Sequence, residues 1–222
     1  MKLEKNTIYN ADCAEIMKLI LEQLGGVDFV VTDPPYGIGE DGAKNNTRGN
    51  GKIAPTIFTA KNWDKKRPDP LYFELMRACS KNQIIFGGNY FADLLPPSSN
   101  WIVWDKMNAG SDFADCELAW CSMKGAVRKI EYLWNGMLQG NMKNKEKRVH
   151  PTQKPLPVME WIIQRYTKEG DTVLDPFMGS GTTCIACKKL GRNYIGVEKD
   201  EEYFEIAQKR MEEYFAQQSL FW

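Results

Sequence analysis

Short apolar runs alternate with segments of helical period along the whole chain. The runs lie at 7–10, 27–32, 83–87, 101–104, 116–121, 172–175 and 194–197, and glycine, proline or polar residues bound most of them. Most are near-continuous rather than alternating, which is the pattern of strands buried on both faces. Helical spacing of apolar positions predicts helices at 14–24, 70–80, 156–167, 182–190 and 201–217. In the last of these, Tyr203, Ile206, Ala207, Met211 and Tyr214 share one stripe. Strands alternating with helices predict an α/β domain, doubly wound around a mostly parallel sheet. A chain of 222 residues has room for one such domain.

Two of the predicted strands end in chemistry. Asp33-Pro34-Pro35-Tyr36 follows the run at 27–32. The two prolines fix the backbone, so the carbonyl of Pro34 points in a set direction. Asp33 offers an acceptor for an amino group, and Tyr36 offers a face on which a planar base stacks. The second site is Asp175-Pro176-Phe177-Met178-Gly179-Ser180-Gly181, with Thr182 opening the next helix. A strand, a glycine turn and a helix N-terminus make a nucleotide-type crevice. No third glycine completes the dinucleotide fingerprint, and no Gly-Lys-Ser/Thr follows to make a phosphate-binding loop. Glu198 ends the next strand, 23 positions after Asp175. An acid at about that offset reaches ribose hydroxyls in such folds. The loop therefore suits a nucleoside without a pyrophosphate, and S-adenosylmethionine is such a ligand.

The pair of motifs resembles the DNA amino-methyltransferases that act on adenine N6 or cytosine N4, in the motif order of their β class. Further matches are Asn10-Ala11-Asp12-Cys13, Phe86-Gly87-Gly88-Asn89-Tyr90-Phe91, Trp101-Ile102-Val103-Trp104-Asp105-Lys106 and His150-Pro151-Thr152-Gln153-Lys154-Pro155. The resemblance runs from about residue 7 to about residue 215. It implies a seven-stranded, Rossmann-like sheet with a circularly permuted motif order. The implied spatial order is 7–10, 194–197, 172–175, 27–32, 83–87, 116–121, 101–104. It implies a flipped-out base, S-adenosylmethionine as cofactor, and Asp33, Pro34, Pro35 and Tyr36 as the catalytic set. Asp12, Asp175, Phe177, Gly179, Gly181, Thr182, Glu198 and Lys154 would hold the cofactor, and no metal is expected. Aspartate at position 33 favours adenine, with cytosine N4 as the alternative. A non-catalytic nucleic-acid-binding module, or methylation of a protein glutamine amide, are the alternatives from other classes.

Charge adds a partner. The chain carries 29 basic and 29 acidic residues, a net charge of zero. Residues 37–67 hold seven bases against three acids, and residues 124–148 hold seven against two. Both stretches read as basic insertions in one catalytic domain spanning 1–222, and a polyanion would approach them from one side. Arg48, Lys52, Lys61, Lys143, Lys145 and Arg148 are the expected DNA contacts. Six scattered cysteines, at 13, 79, 116, 121, 184 and 187, make no disulfide framework. With no long apolar run, a reduced cytoplasmic compartment in a bacterial or bacteriophage setting is expected, and no membrane contact. The segment Gln217-Gln218-Ser219-Leu220-Phe221 resembles the short peptide by which bacterial polymerases and repair proteins grip the replication sliding clamp. Packing on its own domain or in a homodimer is its other reading.

Overall fold

The computed structural model describes residues 1–40, 61–108, 114–135 and 138–219. Its elements in chain order are β1 (Thr7–Asn10), α1 (Cys13–Leu24), β2 (Val27–Thr32), α2 (Pro70–Cys79), β3 (Ser80–Phe86), β4 (Trp101–Asp105), β5 (Cys116–Cys121) and β6 (Arg128–Glu131). Then follow β7 (Trp134–Asn135), β8 (Leu138–Gln139), α3 (Leu156–Tyr166), β9 (Thr172–Asp175), α4 (Thr182–Lys189), β10 (Asn193–Glu198) and α5 (Glu201–Ser219). The main sheet runs β1-β10-β9-β2-β3-β5-β4-β6. Among the described residues, β5 alone in that sheet runs against its neighbours.

Alternation along the central strands divides the core. Phe29, Val31, Ile84 and Phe86 point into one layer with residues of α3, α4 and α5. Val30 and Ile85 point into the other, against Ile16 and Ile20 of α1 and Phe73 and Met76 of α2. Helix ends are set by local chemistry. Asp12 caps α1 by accepting from the amide of Ala14 at 3.0 Å, and Gly25 ends it at φ 67°. Asp69 caps α2 by accepting from the amide of Leu71 at 2.9 Å, with Pro70 in the first turn.

The seven predicted strands lie in the predicted order, but the sheet has an eighth. β6 adds to the edge beside β4, in parallel, with Ile102 opposite Arg128. Its sequence, Arg-Lys-Ile-Glu, carries one apolar residue, so it reads as a basic loop; its outward charges blunt the sheet edge. The stretch 124–148 is therefore partly sheet rather than wholly an insertion. α5 continues to Ser219, two residues past the predicted end. Of the stretch 37–67, residues 41–60 fall outside the described residues. Among the described residues no helix is long and apolar enough to cross a membrane.

Candidate active site

β2 and β9 are neighbours, with Phe29 opposite Val173 and Val30 opposite Leu174. Their carboxyl ends therefore bring Asp33 and Asp175 together, although the two are 142 positions apart. The link is direct: Thr32 Oγ1 donates to Asp175 Oδ1 at 2.7 Å. Burial pushes Asp175 up to about 6. The same oxygen accepts from the amide of Phe177 at 3.2 Å and so starts the glycine turn. Gly179 and Gly181 sit at φ 48° and 74°, where a side chain would be strained. Glu198, at the end of β10, accepts from the amide of Gly179 at 3.1 Å and of Asp200 at 2.8 Å. The carboxylate of Glu198 is thus held in one orientation, and burial raises its pKa.

These groups open into one cavity of about 320 Å³. Asp12, Glu198 and Phe177 line it together with Asp33, Pro35 and Lys154. Asp12 takes 3.2 Å contacts from the Tyr72 hydroxyl and a 2.9 Å ion pair from Lys199. Phe177 and Tyr72 pair at 6.0 Å between ring centroids. His150, Trp63 and Tyr203 also line the cavity, as an aromatic cluster: the His150 ring is 4.3 Å from Tyr203 and 5.5 Å from Trp63. Burial, helped by Lys154, pushes His150 down to about 3, so it stays a neutral imidazole. The fit to a nucleoside with a charged tail rests on these features. Fixed carboxylates stand at Asp12 and Glu198, aromatic walls flank them, and polar groups lie toward His150, Thr152 and Lys154.

Asp33 is engaged on both oxygens. Tyr36 donates its hydroxyl to Oδ1 at 2.5 Å, and Lys154 Nζ donates to Oδ2. Burial pushes Asp33 up, against the pull of Lys154 and with help from nearby Glu117. The Tyr36 ring is not a free platform: Tyr90 stacks on it at 4.7 Å and 15°. Gly87 is required there, because a Cβ would lie 2.1 Å from Tyr36 Cε1. The Tyr36 hydroxyl is committed to Asp33, and the sequence could not show the ring that covers one of its faces.

The expected DNA contacts divide. Lys143 and Lys145 are exposed. Arg48 and Lys52 lie outside the described residues. Lys61 does not face outward: it pairs with Asp200 at 2.5 Å and Glu202 at 2.9 Å, above the Tyr203 ring. Arg148 is also turned in, donating to the Pro151 carbonyl at 2.7 Å and lying 5.9 Å from the Trp134 ring. Both were expected on charge alone, and local carboxylates or aromatic surface claimed them instead.

Sequence reasoning missed three contributors. Glu117 reaches Lys154 from β5. Asp64, buried, accepts from the amides of Gly37 at 2.8 Å and Glu40 at 2.7 Å, and so pins the turn after Tyr36. Arg210 of α5 donates to the Ser180 carbonyl and to Thr182 Oγ1, each at 2.8 Å, and to Glu146 at 3.2 Å. An isolated acid or arginine on an ordinary strand or helix carries no motif, so only the three-dimensional arrangement reveals them.

Residues 104–209 match the family model described as DNA methylase. The type II methyltransferase M.HinfI of Haemophilus influenzae is 28% identical, with 94% of this chain and 68% of that protein covered. M2.MboI of Moraxella bovis is also 28% identical, over 95% of this chain and 89% of its own length. The crystal structure of the M1.HpyAVI–SAM complex superposes with a TM-score of 0.60 at 32% identity, covering 92% of this chain and 98% of that one.

Proposed function

The chain belongs to the β-class N6/N4 DNA methyltransferases, and we propose that within that family it methylates the N6 amino group of adenine. The carrying observation is that Asp33 opens into the same cavity as the glycine turn and Glu198. One site thus holds both an amino-group acceptor and a nucleoside pocket.

S-adenosylmethionine, when bound, supplies a methyl group on a positively charged sulfur. The residues do the rest. Glu198, fixed by the amides of Gly179 and Asp200, is the acceptor for ribose hydroxyls in this reading, and Asp12, Tyr72 and Phe177 line the same pocket. The target amino group is out of reach inside a duplex, so the nucleotide must leave the stack. Its nitrogen lone pair is delocalised into the ring. Hydrogen bonds from the amino group to Asp33 and the Pro34 carbonyl draw that nitrogen toward tetrahedral geometry and free the lone pair. The raised basicity of buried Asp33 makes it a stronger acceptor. The protein contributes positioning and electrostatics rather than a covalent nucleophile.

Aspartate rather than serine at position 33 supports adenine over cytosine. The test is incubation of unmethylated DNA with methyl-labelled cofactor, followed by digestion to nucleosides and mass spectrometry. Label in N6-methyldeoxyadenosine is expected, and label in N4-methyldeoxycytidine would overturn the base assignment. A parallel reaction with protein substrate checks the glutamine-amide alternative, and DNA binding without transfer would mark a non-catalytic module.

The sliding-clamp contact is a separate proposal. Helix α5 carries Gln217, Gln218 and Ser219, so an extended peptide requires its last turn to unwind. Titration of purified clamp with the intact chain and with one ending at Ala216 tests it, and equal binding by both would leave the segment as packing or a dimer contact.

A further inference from the structure

Two lysines and two carboxylates form a largely buried chain beside Asp33, with Lys154 buried and the other three partly so. Lys106 Nζ lies 2.6 Å from Glu117 Oε1. Glu117 Oε2 lies 3.1 Å from Lys154 Nζ, and Lys154 in turn holds Asp33. The chain exists because β5 is antiparallel to β4: that pairing sets Glu117 opposite Trp104, beside Lys106 and under Lys154. Lys154 is only 9% exposed, and its ammonium lies 5.1 Å from the Phe86 ring, so carboxylates rather than bulk water hold its charge. The four charges balance. One acceptor is left over: Glu117 Oε2 is buried and, despite its closeness to Lys154, accepts no aligned hydrogen bond.

That arrangement poses a problem for the reaction. Asp33 must accept from the target amino group, and each of its oxygens already takes one internal donor, so the amino group competes with Tyr36 and Lys154 for the acceptor. We propose that Glu117 is a positioning residue, the second acceptor onto which the Lys154 ammonium turns when the base amino group takes over Asp33. At 3.1 Å the ammonium needs only to reorient, not to travel. Asp33 is thereby released as an acceptor while the Lys154 ammonium keeps a carboxylate partner, and a buried cation without one would cost far more than the exchange. Holding Lys154 away from Asp33 also keeps the positive charge off the nitrogen that must become nucleophilic. The inference rests on the amino-methyltransferase reading of the site.

The test compares wild type, E117Q and E117D in steady-state methylation of DNA across pH, with cofactor affinity measured by titration calorimetry. E117Q keeps the shape but not the charge. Its kcat is expected to fall at least tenfold, with cofactor affinity within threefold of wild type. The groups facing Asp33 are Lys154, Glu117, Tyr36 and Asp175. Of these, Glu117 raises the pKa of Asp33, so losing its charge lowers that value. The acid limb of the kcat–pH profile should therefore move to lower pH in E117Q. E117D, which keeps the charge, should regain part of kcat and return the limb toward wild type. An unshifted limb with kcat within twofold would overturn the proposal. So would equal loss of kcat and cofactor affinity in both variants, which marks a purely structural role. Wild-type protein that transfers no methyl group to DNA would instead remove the functional reading, and this assignment with it.

Discussion

Asp33 and Glu198 are both carboxylates at strand ends, yet they face different partners. Asp33 is held by Tyr36 and Lys154, whereas Glu198 is held by two backbone amides. Their substitutions should separate. Asp33→Ala is expected to abolish transfer, a loss of roughly 3–4 kcal/mol or more of transition-state stabilisation. Cofactor affinity, read by calorimetry, should stay within a few-fold. Glu198→Ala should weaken cofactor binding tenfold or more, for a charge-assisted bond of about 1.5–3 kcal/mol. It also frees the amide of Gly179, so the loss should not be rescued by high cofactor alone. At this scale the motifs were readable because chemistry imposes them at strand ends. Asp33, Asp175 and Glu198 all stand where the sequence puts them. The stack of Tyr90 on Tyr36 was not readable. It depends on Gly87 admitting the ring, and the sequence shows a glycine without showing what lies over it.

At the scale of elements, hydrophobic runs located the seven strands, and β6 escaped because an edge strand needs no apolar face. Helix α5 shows the complementary failure. Its stripe of Tyr203, Ala207 and Met211 is buried as expected, but Arg210 falls on the same face, and its guanidinium rather than an apolar side chain meets the glycine turn. Arg210 ties the glycine turn at Ser180 and Thr182 to Glu146, which in turn accepts from the amide of Leu156 at the start of α3. Arg210→Leu leaves Glu146 as a buried carboxylate without its cation. Chemical denaturation should show a loss of about 3 kcal/mol or more. Cofactor affinity should fall as well, because the turn loses its anchor. Unchanged cofactor binding in a destabilised variant would confine Arg210 to packing.

Across the whole molecule, the basic and acidic residues cancel in number but not in place. DNA affinity should fall steeply with salt, with counterions released at each lysine or arginine that meets a phosphate. Lys143→Ala and Lys145→Ala should each reduce the slope of log affinity against log salt by about one. Lys61→Ala should leave it unchanged, since Asp200 and Glu202 already neutralise that charge. Filter binding across a salt series measures all three.

The strand order has a consequence for synthesis. β2 emerges from the ribosome with β3 soon after it, but its other neighbour, β9, follows only in the last quarter of the chain. β1 waits longer still, because its sheet partner is β10. A nascent chain therefore carries two unsatisfied strand edges through most of translation, the condition that invites misassembly and chaperone capture. It also carries the Asp-Pro-Pro-Tyr turn with no pocket beside it, so methylating power arrives all at once, when the final strands dock. Chains arrested on the ribosome before Thr172 should be cleaved readily by protease within β2, and release of the full chain should end that vulnerability.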